Sequence, residues 1–276
     1  MPKLETIMKK NAIFALAVTG MLLASTASAG PFILSGTDAD DHGSATVSAN
    51  DTGWLYMQRA LENLGAAVTN GDKVVTILGS SGKAATAANS AFNFSSLVGS
   101  GWTVQTVTSA NFGTFFAAGG GLHASGILMM DSGGNVGGGV AGTAFVPYAT
   151  AINNFLGTGG GLFSQANGYE WLNTLLPALV VVNESNTGLQ LTAAGSTAFP
   201  GLTNADLSSG PWHNSFTNVG ALPVLATSTT NGHNVVIGSN AGSITEPAGS
   251  IPEPASLALV GFGLFAAAAT RRRKAR

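Results

Sequence analysis

Short apolar runs alternate with stretches of helical spacing through the middle of the chain. Residues 32–35 and 74–78 predict buried strands, and apolar positions at helical spacing over residues 54–64 predict a helix with Gly65 as its C-terminal cap. The same reasoning predicts strands over residues 103–107, 127–130, 161–163, 179–182, 222–225 and 234–237, and helices over residues 83–97, 144–156 and 169–176.

This alternation predicts an α/β fold. Parallel strands are joined by helical crossovers and are buried on both faces, so their sequences are short and apolar throughout. We therefore expect residues 30–244 to form a doubly wound, mostly parallel sheet with helices on both faces. An all-β sandwich is the alternative, favoured by the glycine and threonine content, and the helical pattern of residues 54–64 is the main argument against it.

Residues 1–29 have the pattern of a secretory signal peptide. Two lysines precede an apolar stretch, and small residues of a cleavage site follow it. The pattern predicts a signal helix that the Sec translocon recognises and signal peptidase removes, so that the mature chain begins near Gly30. Met8 is a second candidate for the true start. The residues concerned are Lys9 and Lys10, the apolar residues 12–23, and Ala27, Ser28 and Ala29.

The C-terminal end combines a short motif, an apolar segment and a basic cluster. Residues 255–270 would extend about 24 Å as a helix that is apolar on every face, which predicts a transmembrane helix. The positive charges after it place the C-terminus in the cytoplasm. Residues 245–251 are the expected linker. The motif is Pro252, Glu253 and Pro254, and the basic cluster is Arg271, Arg272, Arg273, Lys274 and Arg276.

This tail, residues 252–276, resembles the PEP-CTERM sorting signal in the order and spacing of its three parts, and it covers about a tenth of the chain. The resemblance implies that an exosortase recognises the tail and cuts near the motif. It also implies a precursor anchored in the inner membrane of a Gram-negative-type bacterium, and a product sorted to the cell surface or extracellular matrix. Exopolysaccharide, as in a biofilm, is then an expected partner.

Composition agrees with export and narrows the partners. The chain has no cysteine, which excludes disulfides, thiolate nucleophiles and cysteine-ligated metals. Between residues 30 and 250, three basic residues stand against eleven acidic ones, a net charge of −8. Because so few cations cannot neutralise a phosphate backbone, nucleic acid is not an expected partner. Divalent cations and neutral glycans are favoured instead.

Polar clusters follow three of the predicted strands. In a doubly wound sheet the binding site lies at the carboxyl ends of the strands, so we expect these clusters to be functional. Asp38, Asp40 and Asp41 form a candidate calcium site, because Ca²⁺ prefers carboxylate oxygens, and calcium is the one cofactor indicated. The alternative is a turn in which the aspartates cap backbone amides. The candidate ligand-binding residues are Asp38, Asp41, His42, Asp131, Ser132 and Trp212, the last in an expected surface loop.

Residues 152–165, a helix end followed by glycines and a strand, resemble the approach to the nucleophile in class I glutamine amidotransferase-like domains. The cysteine of that family is missing, which excludes thiolate amidotransfer, and the strand ends in Ser164. Ser164, with His213 as base and Glu170 as acid, is a candidate hydrolytic triad. No G-x-S-x-G pattern surrounds Ser164, and close packing of helix and strand is the alternative role of the glycines.

Three functions fit the sequence. The first, which we favour, is an exported, non-catalytic α/β domain that binds a glycan or another matrix component. The second is a hydrolase with a degenerate amidotransferase-like site, and the third is a calcium-dependent adhesion or scaffold module. A further glycine-rich segment, residues 79–84, lacks the spacing of a Walker phosphate loop, so nucleotide binding is not expected there.

Overall fold

The computed structural model describes residues 30–131, 133, 138–165 and 168–238. The predicted signal peptide, the linker, the C-terminal helix and the sorting motif lie outside these residues. Within the described ranges, no helix is both long enough and apolar enough to cross a membrane.

The described residues form twelve strands, ten of them in one mixed sheet. In chain order they are β1 (Phe32–Ser35), β2 (Gly43–Ala45), β3 (Asn50–Asp51), β4 (Val74–Leu78), β5 (Thr103–Val107), β6 (Ile127–Met130), β7 (Gly161–Ser164), β8 (Val180–Thr187), β9 (Leu189–Leu191), β10 (Pro211–Thr217), β11 (Val224–Ser228) and β12 (Asn234–Gly238). The sheet order is β5-β4-β6-β7-β1-β12-β10-β8, with β11 paired to β12 and β9 paired to β11. Strands β2 and β3 form a separate hairpin.

The helices are short except for the first two. They are α1 (Thr52–Ala67), α2 (Gly82–Asn93), α3 (Ser96–Gly99), α4 (Phe112–Phe115), α5 (Ala149–Gly157), α6 (Ala193–Ala198) and α7 (Asn204–Leu207), with 3-10 helices over Ser109–Asn111, Gly121–Ala124, Gly142–Tyr148 and Glu170–Thr174. The α/β class predicted from the alternating pattern is therefore confirmed, and the all-β alternative is wrong.

Apolar side chains cover both faces of the sheet. Strand β1 shows the arrangement, because Ile33 belongs to the core beneath α1 and α2, whereas Phe32 and Leu34 belong to the core beneath α5 on the other face. Successive side chains of a strand point to opposite faces, so a strand buried on both sides must be apolar at every position. This requirement explains why β1, β4, β6 and β7 are mainly apolar; the buried hydroxyl of Thr76 in β4 is hydrogen-bonded to that of Ser125.

The sheet is less parallel than the sequence predicts. Strands β5, β4, β6, β7 and β1 run parallel, as expected, but β12 pairs with β1 in the antiparallel sense, and β8 to β12 pair only antiparallel. Strand β10 was missed because its sequence, PWHNSFT, mixes polar and apolar residues. An antiparallel strand can have one polar face, so a continuous run of apolar residues is not needed and cannot be used to predict it.

All four predicted helices differ in detail. The helix predicted over residues 169–176 is only the 3-10 helix Glu170–Thr174. The helix over residues 83–97 is divided into α2 and α3, where the Ser95 hydroxyl bonds to the carbonyl of Phe92 at 2.6 Å. The helix over residues 144–156 begins as a 3-10 helix that contains Pro147, which cannot donate a backbone hydrogen bond. Gly65 is not a cap, since α1 continues to Ala67. A Cβ at Gly65 would lie 2.4 Å from a methyl of Leu97, so glycine permits the close packing of α1 on α3.

The order of the parallel strands creates a crevice at one edge of the sheet. From β4 the chain passes to β5 on one side and then returns to β6 on the other side. The helices that follow β4 and β6 therefore diverge, and the carboxyl ends of these two strands face an opening between them. The loops after β1 and β7 reach the same edge, so the polar clusters expected to be functional do share one edge.

Candidate functional site

A buried hydrogen-bonded chain links the loops that follow four parallel strands. The Ser80 hydroxyl, after β4, donates to one carboxylate oxygen of Asp131, after β6. The side-chain amide of Gln165, after β7, donates to the other oxygen at 3.1 Å, and its own oxygen accepts the backbone N–H of Ala39, after β1, at 3.1 Å. One carboxylate is therefore at the centre of the crevice and is held on both oxygens.

Burial changes the acidity of Asp131. The side chain is 4% exposed, and loss of hydration raises the pKa of its carboxyl from 3.8 to about 6, while the hydrogen bonds from Ser80 and Gln165 partly offset the rise. Both of these partners are neutral. The carboxylate is therefore ionised at neutral pH but more basic than an exposed aspartate.

The Tyr169 hydroxyl fastens β1 to the end of β7. It accepts the backbone N–H of Ser35 at 3.0 Å and lies 2.8 Å from the carbonyl oxygen of Ser35 and 3.0 Å from that of Ser164. The group is buried, and burial raises the pKa of Tyr169. It therefore acts as a neutral clamp that sets the position of both strand ends.

Replacing Tyr169 with phenylalanine should lower the free energy of unfolding by about 1–3 kcal/mol, because a buried N–H and two carbonyls lose their partner. Urea unfolding monitored by circular dichroism measures the change. Tyr148→Phe is the matched control, since Tyr148 is only half-buried, and it should cost much less. Equal costs for the two variants would contradict the clamp.

Two imidazoles face the carboxylate of Asp38. Nε2 of His213 lies 3.1 Å from Oδ2 of Asp38, and Nε2 of His42 lies 3.4 Å from the same oxygen. Asp38 is 4% exposed, and among the described residues no donor reaches its other oxygen, Oδ1. The loop after β1 is therefore bound to β10 through Asp38, which brings together three residues that the sequence analysis singled out separately.

The calcium site stays a prediction. Asp40 is fully buried, and its backbone carbonyl accepts a hydrogen bond from the indole N–H of Trp54 at 2.9 Å. The backbone carbonyl of Asp41 accepts a hydrogen bond from Nζ of Lys83 at 2.5 Å. Across the described ranges, no three His, Asp or Glu side chains are arranged as a metal site. The backbone of this loop is thus held by side chains from α1 and α2. Ser132, another candidate ligand-binding residue, lies outside the described residues.

Trp212 is not a surface residue. The sequence around Trp212 predicts a surface loop, but the residue lies in β10 and is 0% exposed. Its neighbour His213 is partly exposed, because alternate residues of a strand face opposite sides. A fully buried indole cannot stack on a sugar, so the expected role of Trp212 in ligand binding is withdrawn.

The Ser164 triad also stays a prediction, and the observed contacts give it no support. Ser164 is 2% exposed in β7, whereas Glu170 is exposed in a 3-10 helix. Nε2 of His213 is engaged by Asp38, and within the described part of the chain no hydrogen bond joins His213 to the Ser164 hydroxyl.

A cleft of about 1080 Å³ opens at this edge of the sheet. It lies between the loops after β6 and β7 and the start of β8. The described residues that line it are mostly glycines, neutral polar residues and apolar residues, with Glu170 as their one acidic residue: Gly133, Ala141, Gly142, Gly168, Tyr169, Glu170, Asn173, Pro177, Leu179, Val180, Val181 and Asn183.

Gln165 belongs to the polar cluster that the sequence places after β7, but the sequence assigned it no role, and it did not point to Ser80 or Tyr169 as site residues. Ser80 follows β4, so a ranking of every polar residue just after a predicted parallel strand would have found it. Tyr169 gave no such signal, since its contacts to Ser35 and Ser164 depend on the pairing of β1 with β7.

Comparison with known protein families identifies a motif at the C-terminal end of the chain. Residues 250–274 match the model of the PEP-CTERM protein-sorting motif. Comparison with curated proteins and with solved structures gave no match. The resemblance of residues 152–165 to amidotransferase-like domains therefore rests on that segment alone. The matched motif indicates that this chain is an exosortase-sorted exported protein directed to the cell surface.

Proposed function

We propose that the exported α/β domain binds a neutral glycan, such as a strand of exopolysaccharide, or a comparable uncharged matrix component in the cleft beside β6, β7 and β8. The observation that carries this proposal is the chemistry of the cleft. Its volume, about 1080 Å³, is just above the usual range for ligand pockets, roughly 300–1,000 Å³. A groove of that size can hold several sugar rings.

The polar groups of the cleft suit hydroxyl-rich ligands. Asn173 and Asn183 each offer an amide donor and an acceptor, although Asn183 Oδ1 already accepts Asn214 Nδ2 at 2.7 Å. Glu170 adds an acceptor for sugar hydroxyls. Since no lysine, arginine or histidine is among the lining residues that the structure describes, an anionic ligand would find no counter-charge there.

The place where the described domain ends is compatible with a cleft that stays open. Gly238, the last described residue, pairs with Ile33 near the start of β1, which is the edge of the sheet opposite the cleft. The described part of the domain therefore ends on the far side from the proposed ligand. In this proposal the Sec translocon and signal peptidase process the first 29 residues, and an exosortase processes the anchored precursor before the domain reaches the matrix.

Filling the cleft should abolish binding. Asn173 is exposed on the 3-10 helix at the mouth of the cleft, so an indole in Asn173→Trp would occupy the space meant for a sugar. We expect at least a tenfold loss of retention on beads that carry exopolysaccharide isolated from the producing bacterium. Thr106→Trp, exposed on β5 at the opposite end of the sheet, is the control and should be retained like the unchanged protein.

Two results would overturn the proposal. One is that the unchanged protein is not retained on any matrix fraction. The other is that Asn173→Trp and Thr106→Trp are retained equally, which would place the binding surface outside the cleft.

A further inference from the structure

We propose that Ser80 and Asp131 are the nucleophile and the general base of a second site, which hydrolyses esters of small carboxylic acids. The proposal does not depend on glycan binding in the cleft. It rests on the buried chain at the crevice between β4 and β6, where an open α/β sheet places its reactive groups.

The chain has the order that an activated serine requires. The nucleophile must be bonded to a base, and the base must be oriented by a third group. The Ser80 hydroxyl donates to Asp131, and Gln165 fixes the second oxygen of that carboxylate at 3.1 Å. A flip of the Gln165 side-chain amide would break the hydrogen bond that its oxygen accepts from the Ala39 N–H, so the orientation of the amide is also fixed.

The acidity of Asp131 suits this role. A general base works best when its pKa lies near the working pH, because it is then ionised and still basic. Burial raises the pKa of Asp131 to about 6, and the side chains that bond to its carboxylate are neutral. The carboxylate can therefore take a proton from Ser80 above about pH 6 without the aid of histidine.

The start of α2 can stabilise the negative charge that develops on the substrate. Ser80 directly precedes Ser81, the N-cap residue of this 12-residue helix. The N–H groups of a first helical turn have no partner inside the helix and favour an anion. The N–H and hydroxyl of Ser81 are bonded to the carbonyl of Gly138 at 2.9 and 3.0 Å, which fixes the turn that carries Ser80.

The reaction is balanced by the ester, one water molecule and these two side chains, without a cofactor. Ser80 Oγ bonds to the ester carbonyl carbon while its proton passes to Asp131, and the carbon–oxygen bond to the alcohol then breaks as that alcohol takes the proton. A water molecule next attacks the acyl-serine and gives a proton to Asp131. The bond from the carbonyl carbon to Ser80 Oγ breaks, the proton returns to Ser80, and the free acid leaves. Ser80 is only 6% exposed, so the acyl group must be small, such as an acetyl group.

The experiment uses the full chain purified in detergent and a serine-reactive fluorophosphonate, followed by peptide mapping. We expect the label on Ser80. Hydrolysis of 4-nitrophenyl acetate should be lost in Ser80→Ala and fall about 100-fold or more in Asp131→Asn, whereas Ser100→Ala, a change of an exposed serine in a loop, should leave it unchanged. The rate for the unchanged protein should rise about tenfold per pH unit below pH 6 and level off above it.

A label on Ser164 or on no serine would overturn the proposal, and so would full activity in Ser80→Ala. If Ser80→Ala does not fold, peptide mapping and the pH profile of the unchanged protein decide the matter. A failure of the protein to bind glycan would not change the labelling of Ser80 or the esterase activity, so each proposal can be disproved without the other.

Discussion

Replacing Trp212 with alanine should lower the free energy of unfolding by about 3–5 kcal/mol, which is a large part of the stability of a typical domain, about 5–15 kcal/mol. Trp212 is among the largest fully buried side chains, and it packs in the core between the sheet and α1. Removing the ring would leave a cavity that the surrounding side chains cannot fill. Urea unfolding of the two proteins measures the difference.

Trp212→Phe provides the matched comparison. Among the described residues no acceptor reaches the indole N–H of Trp212, so the smaller ring removes a buried unpaired donor while keeping most of the apolar contact. Its cost should be well below that of alanine. If Trp212→Ala unfolded like the unchanged protein but lost retention on exopolysaccharide, the residue would be a surface platform and its placement in the core would be wrong.

Replacing Asp131 with asparagine should remove a pH dependence of about 3 kcal/mol. The pKa of Asp131 is raised in the folded protein from 3.8 to about 6, so between these values the folded state binds more protons than the unfolded state. Stability therefore falls as the pH rises from about 4 to about 6, and each pH unit of the shift is worth about 1.4 kcal/mol. Above pH 6 the folded protein holds an ionised carboxylate in a buried place.

Asparagine keeps the bonding of this site without the charge. Its oxygen can accept from Gln165, and its amide can donate to Ser80, whose hydroxyl turns from donor to acceptor. We expect the variant to be about 1–3 kcal/mol more stable than the unchanged protein at pH 7.5, with a flatter profile between pH 4 and 6. Urea unfolding at several pH values measures both.

Asp51→Asn is the control for that experiment, because Asp51 is exposed at the start of α1 and its side chain makes no capping bond. Its pH profile should follow that of the unchanged protein. A profile for Asp131→Asn as steep as that of the unchanged protein would show that the buried carboxylate is not the source. Greater stability combined with lost esterase activity would be the usual conflict between stability and function at a reactive site.

The parallel half of the fold could be predicted from the sequence because strands that are buried on both faces appear as short apolar runs. Strand β6 is apolar at every position, β4 is apolar except at Thr76, and α1 shows its buried stripe at helical spacing. The antiparallel half is harder to recognise in the sequence, since β8 and β10 contain Asn, Glu, His and Ser, and β8 has no fully buried position. Their pairing depends on contacts between distant parts of the chain.

The location of the candidate site could be predicted from the sequence more readily than the contacts between its residues. The carboxyl ends of the parallel strands follow from the fold class, and Asp38, Asp131 and Ser164 are indeed at this edge. The sequence could not show that Asp38 faces two histidines, or that Ser80 faces Asp131 across 51 positions of the chain. Such pairs are fixed by strand order, which short sequence patterns do not carry.

The central claim is that the domain acts outside the cell after both ends of the chain have been processed. Intact-mass spectrometry of the protein from a bacterium with an exosortase, expressed from the full chain, tests it most directly. We predict an extracellular or surface-bound product that begins near Gly30 and ends near the Pro252–Pro254 motif. The untrimmed 27.6 kDa chain in the soluble cytoplasmic fraction would contradict the claim.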